Sequence, residues 1–139
     1  MKTRCFIFAM TVLSLVTSGS LAQNWYPVDV GPKSWDVNFN AVYFIDRQTG
    51  WAVGDRGTII RTLTGLRWNE QISGVETNLR GVYFNNRIEG WAVGDSGVIL
   101  HTNDGGITWT RRQSSTAEHL YDVQFVSDDR GWIAGAGGT

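Results

Sequence analysis

An all-β chain of tandem four-stranded antiparallel sheets is what this sequence predicts, and three observations predict it. The first is a repeat. Val42, Val82 and Val123 share one position, Phe44, Phe84 and Phe125 lie two residues further on, and Gly50-Trp51, Gly90-Trp91 and Gly131-Trp132 follow at the same offset. Successive Gly-Trp pairs stand 40 and then 41 residues apart. The second is the lack of helical periodicity after residue 22; apolar residues alternate instead, as in strands with one face turned inward. The third is composition, with 7 Trp and 17 Gly in 139 residues: aromatic anchors to fill the layers between sheets, and glycines for tight turns. A fixed period near 40 with several short strands per unit is the mark of a propeller blade. The expected division is 1–22 signal peptide, 23–38 closing strand and linker, 39–78 first blade, 79–119 second blade and 120–139 the start of a third. Propellers have typically about 4–8 blades, so two and a half blades read as the N-terminal fragment of a longer ring.

Each element has its own reason. Lys2 and Arg4 precede an apolar run over 5–16, and small residues lead to Ser20-Leu21-Ala22. This is the layout of a secretory signal cut after Ala22. The apolar run is short of the roughly 20 residues that span a bilayer, so an exported chain with no membrane span after cleavage is expected. Cys5, the single thiol, leaves with the leader, and no disulfide chemistry is expected. Asn24-Trp25-Tyr26-Pro27-Val28-Asp29-Val30 reads as one lone strand before the turn signal Gly31-Pro32. Such a strand can complete a final blade and leave few exposed edges.

Within each blade the template apolar-x-x-Val-x-Phe opens the first strand, at Phe39, Leu79 and Leu120. Val and Phe two apart share a face and should pack on the neighbouring blade. Gly-Trp-Ala-Val-Gly begins the second strand, so Trp51, Trp91 and Trp132 are expected in equivalent environments. Asp55-Arg56-Gly57 and Asp95-Ser96-Gly97 read as tight hairpin turns, their glycines at positive φ and their carboxylates as caps. Third strands are expected over 58–61 and 98–102, and a fourth over 107–111.

The sharpest motif is Thr102-Asn103-Asp104-Gly105-Gly106-Ile107-Thr108-Trp109, which fits Ser/Thr-x-Asp-x-Gly-x-Thr-Trp throughout. Asp104 can accept from N–H groups in the turn, Gly106 allows a conformation closed to other residues, and Trp109 can lock the hairpin in place. Thr102, Asp104, Gly106, Thr108 and Trp109 are therefore assigned a structural role, and Asp104 is not read as catalytic. The earlier copy, Thr62-Leu63-Thr64-Gly65-Leu66-Arg67-Trp68, is one residue shorter and lacks the Asp.

The motif resembles the Asp box, or bacterial neuraminidase repeat, of sialidase-like propellers. The whole unit, with the leader and the Trp25 strand, looks like the photosystem II assembly and stability factor family, and the resemblance covers 25–139. It departs in the first, degenerate box and at Ala136, which stands where Asp55 and Asp95 stand. The resemblance implies a seven-bladed propeller of the thylakoid lumen or periplasm that binds early reaction-centre intermediates and is not an enzyme.

The residues themselves nominate no catalytic group, no metal ligands and no cofactor. His101 and His119 stand alone. No glycine-rich phosphate loop opens a helix, and Ser114-Ser115-Thr116 lacks a nucleophile-elbow context. Lys plus Arg number 12 against 13 Asp plus Glu, a balance that argues against nucleic acid as partner. The expected function is a non-catalytic scaffold for a protein partner, in the periplasm, the thylakoid lumen or the extracellular space. Two alternatives stand beside it. A sialidase-type glycoside hydrolase would need an arginine cluster, a Tyr nucleophile with its Glu, and an acid; a secreted adhesion module would need a sorting domain. The partner is expected on the face opposite the boxes, at Arg56, Glu76, Arg80, Ser96 and His119, because these positions change from blade to blade: Asn40, Arg80 and Tyr121 share one position.

Overall fold

The computed structural model describes residues 36–139 in full and, as backbone, two strands before them, β1 (Ile7–Thr11) and β2 (Asn24–Val28). The cleavage point after Ala22 and the Gly31-Pro32 turn lie outside the described residues. Sequence reading leaves β2 alone; here it runs antiparallel to β1, with Ile7 opposite Val28 and Thr11 opposite Asn24. An unpaired strand edge accepts an extended apolar segment within reach, and the leader supplies one.

The next four strands are β3 (Phe39–Phe44), β4 (Gly50–Gly54), β5 (Ile59–Thr62) and β6 (Trp68–Gln71). They form one antiparallel meander in chain order. β7 (Leu79–Phe84), β8 (Gly90–Gly94), β9 (Ile99–Thr102) and β10 (Thr110–Arg112) form a second. β11 (Leu120–Ser127) and β12 (Arg130–Gly135) pair with each other as the opening of a third. The only helical turns among the described residues are three single 3-10 turns, at Asp55–Gly57, Asp95–Gly97 and Ala136–Gly138. β5 and β9 begin one residue later than expected because Thr58 and Val98 each close the preceding turn onto an Asp carbonyl. β10 is shorter than expected because the box turn holds the chain as far as Trp109, leaving Ile107 exposed.

The repeat carries a second regularity that the one-letter pattern hides. The innermost strand of every unit slips register by one residue, between Phe39 and Ala41, between Leu79 and Gly81, and between Leu120 and Asp122. The residue left over at each bulge is Asn40, Arg80 or Tyr121. A bulge re-aims the side chain it carries, so the repeat position that changes from Asn40 to Arg80 to Tyr121 is also the one freed from ladder geometry.

Packing between blades is one-sided. Val82 and Phe84 of β7 bury themselves against Trp51, Val53 and Ile59 of the first blade, with Val98 and Leu100 closing the outer part. Leu120 and Val123 repeat this on Val93 of the second blade. Val42 and Phe44, the same positions in the first blade, remain 51% and 42% exposed, as no described element packs beyond them. The three Gly-Trp tryptophans are not equivalent, contrary to the symmetric expectation: Trp51 is fully buried, Trp91 half-buried and Trp132 57% exposed. Trp51 is covered by Phe84 and by the Gly105 carbonyl of the second blade, and Trp91 by Phe125 alone of the third unit's described aromatic residues.

Candidate functional site

The Asp box is closed by its own side chains. Thr102 Oγ1 accepts from the Gly106 N–H at 2.8 Å and donates to Asp104 Oδ1 at 2.8 Å. Asp104 then accepts from the Thr108 N–H at 2.9 Å and from the Thr108 hydroxyl at 2.6 Å. The Thr108 hydroxyl and N–H hold the Asp104 carboxyl down at about 2. Trp109 meets Phe84 of its own blade edge-on, at 5.9 Å and 88°. The residue that reaches across is Trp51: its ring stacks on Phe84 with centroids 3.4 Å apart, and its indole N–H donates to the Gly105 carbonyl at 3.0 Å. The box is thus bonded within itself through Thr102, Asp104 and Thr108, and to the preceding blade through a backbone carbonyl.

Asp46, in the first strand-one to strand-two connector, is a second such carboxylate. The Gln48 and Thr49 N–H groups, and Arg87 beyond them, hold it at about 2. Both folded-state values lie below the ordinary 3.8. The stability these groups lend is therefore complete above about pH 4 and lost as the pH falls toward 2. Asp104→Asn removes one of these titrations and is expected to lower the melting temperature at pH 7 and to flatten its decline at acid pH. A variant whose acid profile matches the unmodified chain overturns the assignment.

The opposite face is made by the two complete hairpin turns and the loops between blades. In the turn Asp55–Gly57, Arg56 has φ 54° and Gly57 φ 71°; in Asp95–Gly97, Ser96 has φ 57° and Gly97 φ 66°. Two successive left-handed residues make a type I′ turn, whose twist suits a hairpin. The turns are stitched to their surroundings by backbone bonds. Asp55 N–H donates to Asn38 O and Asp95 N–H to Asn78 O, each at 2.9 Å, while Gly97 N–H donates to Glu118 O at 2.8 Å.

The carboxylates of these turns do not cap them, contrary to expectation. The turns are closed by main-chain bonds, which frees the side chains to reach the bulged strand. Asp55 accepts from Asn38 Nδ2 at 2.8 Å and Asn40 Nδ2 at 3.2 Å. Partial burial works to raise its pKa, but the two amides outweigh this and leave it below the ordinary value. Asp95 takes both Nε and Nη2 of Arg80, and His119 Nδ1 lies 3.0 Å from the same carboxylate. The Arg80 hydrogen bonds hold Asp95 below the ordinary range. The Arg80 guanidinium also lies 5.7 Å from the centre of the Tyr121 ring, within the range of a cation–π contact.

Of the five residues expected to meet a partner, the structure brings Arg80 and His119 together on Asp95, with Ser96 exposed beside them at the turn tip. Arg56 sits at the other turn, its N–H on Asn78 Oδ1 at 3.1 Å and its Nη2 on Asp36 O at 2.7 Å. Glu76 is exposed on the loop that packs against Gly57. Asp55, Asp95 and Tyr121 join this face without having been singled out for it. Their signal in the sequence was the exchange of Asn40 for Arg80 for Tyr121, which pointed to the position but not to its acidic partner. No group of three or more His, Cys, Asp or Glu able to hold a metal occurs among the described residues. No helix among them is long and apolar enough to cross a membrane.

The family model of the photosynthesis system II assembly factor YCF48 matches residues 17–117. The chain belongs to this family. Its fold is similar to that of YCF48 from Cyanidioschyzon merolae, with a TM-score of 0.71 and 23% identity, over 82% of this chain and 39% of that one. It is also similar to a YCF48 bound to a D1 peptide, with a TM-score of 0.63 and 25% identity, over 72% of this chain and 34% of that one. The chain thus spans between a third and two-fifths of these structures' length. No curated protein matches it. Membership in the YCF48 family agrees with the family resemblance read from the repeat, and the similar structures carry the propeller fold.

Proposed function

We propose that this chain is the N-terminal part of an exported, non-catalytic propeller that holds a protein partner during photosystem II assembly, and that the partner is a D1 segment. The observation that carries this reading is the match to the YCF48 family over 17–117, together with a similar YCF48 structure bound to a D1 peptide. The geometry adds support. Asp104, the carboxylate most suggestive of catalysis, spends both oxygens on Thr102 and Thr108 within its own turn. The face of Arg56, Ser96, Arg80 and His119 instead presents exposed or half-exposed polar groups on rigid, backbone-stitched turns, the setting in which binding residues commonly sit. The signal-like segment over 1–22 supports export.

Binding of a D1 peptide to the full-length protein tests this. Arg56→Glu reverses an exposed charge on the turn face and is expected to weaken binding several-fold, most strongly at low salt where exposed charges are least screened. Arg47→Glu, on the box face, is expected to leave binding unchanged. Undiminished capture by the first variant with loss in the second places the partner on the box face and overturns the assignment.

A further inference from the structure

The turns at the Asp-box end of the two complete blades carry large aliphatic side chains into solvent. Leu63 and Leu66 stand on the first box turn, Ile107 on the second, and Ile88 on the β7–β8 connector, each between 56% and 74% exposed. These positions stay open where a neighbouring blade is in place. The second box seats against the first blade, with the Gly105 carbonyl on Trp51, yet its Asn103 and Ile107 are exposed, and these are the repeat equivalents of Leu63 and Leu66. Gln48, the equivalent of Ile88, is exposed with the whole second blade beyond it. The exposure therefore belongs to this end of the blade itself, whatever stands further along the row.

The four turns form one surface. Gly105 N–H donates to Ile88 O at 2.8 Å, which joins the second box to the β7–β8 connector. Arg87 on that connector donates to Asp46 Oδ2 of the β3–β4 connector at 2.8 Å. A Cβ on Gly65 of the first box would lie 3.2 Å from the Arg47 carbonyl oxygen. The exposed charged side chains of these turns are Arg47, Arg67 and Arg87. Their acids are half-buried and occupied: Asp46 by Arg87, Asp104 by Thr102 and Thr108, and Glu89 by His101 Nε2 at 3.4 Å. The connector of the third unit breaks the pattern with exposed Asp128 and Asp129, so the cationic, aliphatic patch is confined to the two complete blades.

We propose that this face docks on a lipid surface rich in anionic headgroups. Leu63, Leu66, Ile88 and Ile107 enter the boundary between headgroups and acyl chains, and Arg47 and Arg67 meet the phosphates around them. Buried apolar area and attraction to anionic lipid add in binding of this kind. The chemistry favours lipid over protein. Protein interfaces are anchored by aromatic rings, with leucine under-represented. Here the rings of both boxes turn inward: Trp68 is buried, and Trp109 lies edge-on to Phe84. The surface lies at the opposite end of the blades from Arg56, Arg80 and His119, so the proposal goes beyond the partner reading and does not rest on it.

Sedimentation of the full-length protein with vesicles tests this. Partition onto equal parts of phosphatidylglycerol and phosphatidylcholine is expected to exceed that onto phosphatidylcholine alone by about tenfold, and to fall with added salt. Leu66→Ser combined with Ile107→Ser is expected to lower it about tenfold, as is Arg47→Glu combined with Arg67→Glu. Arg56→Glu, on the turn face, is expected to leave it unchanged. Hydrogen exchange in the unmodified protein depends on no variant folding: anionic vesicles are expected to slow it over residues 63–67 and 103–108 and not over 95–97. No partition onto anionic vesicles overturns the proposal, as does partition unchanged in both double variants or protection over 95–97 instead. Loss of D1-peptide capture in the aliphatic double variant, without vesicle binding, assigns the face to protein. A lipid-free dimer dissolved by the same variant assigns it to a second copy, and either result overturns the lipid reading.

Discussion

Replacing Gly57 by alanine is expected to cost the chain about 3–5 kcal/mol, at the large end for a single substitution. A Cβ at this position falls 1.9 Å from the Val75 carbonyl oxygen and 2.8 Å from its carbon, with the backbone at φ +71°. The clash is with backbone of the loop leading to the second blade, which cannot swing aside as a side chain can. Gly74→Ala separates the two causes. Gly74 has φ +74° but nothing within 4 Å of its would-be Cβ. It should cost only the strain of a left-handed residue, about 1–2 kcal/mol. Urea unfolding of the two variants checks this. Equal losses overturn the account in which close approach of turn and loop holds the blades together.

Trp51→Ala is the second large effect, expected to destabilise by about 3–5 kcal/mol, the range for deleting a buried tryptophan. Trp51 is fully buried: Phe84 stacks on one side, Arg61 lies 5.6 Å from the ring centre, and Gly105 takes the N–H. Removing the ring leaves a cavity at the centre of the main core. Trp132→Ala, at the same repeat position but 57% exposed, should cost well under half as much. Thermal or urea melts of the pair decide it, and similar losses at both positions contradict the one-sided packing.

Much of this fold was legible in the letters. Val82, Phe84 and Trp91 announce a strand pair by spacing alone, and the match from Thr102 to Trp109 marks a hairpin turn because each position has a local job. The chain-wide period did the rest, since tandem units of one length stack in one way. What escaped was whatever depends on geometry between units. The pairing of Asp95 with Arg80 joins a turn residue to a bulged strand, and no local pattern predicts that a main-chain turn frees its carboxylate. The unequal burial of Trp51, Trp91 and Trp132 escaped for the same reason: identical neighbours in sequence conceal different neighbours in space. The shorter β10 was missed because Ile107, apolar and following two glycines, looks like the start of a strand although the box still bends the chain there.

The staggered tryptophans also give the molecule a direction in time. Each blade is sealed by the hairpin of its successor, so during synthesis, N-terminal end first, a blade is provisional until the one behind it has emerged. The first blade is sealed when Gly105 of the second reaches the indole of Trp51. Growth of such a protein is a ratchet, each new click fixing the previous one, and a proteolytic nick in one box would unlatch the blade before it rather than its own. Indole emission, shifting stepwise to the blue as successive rings leave water, would count the clicks.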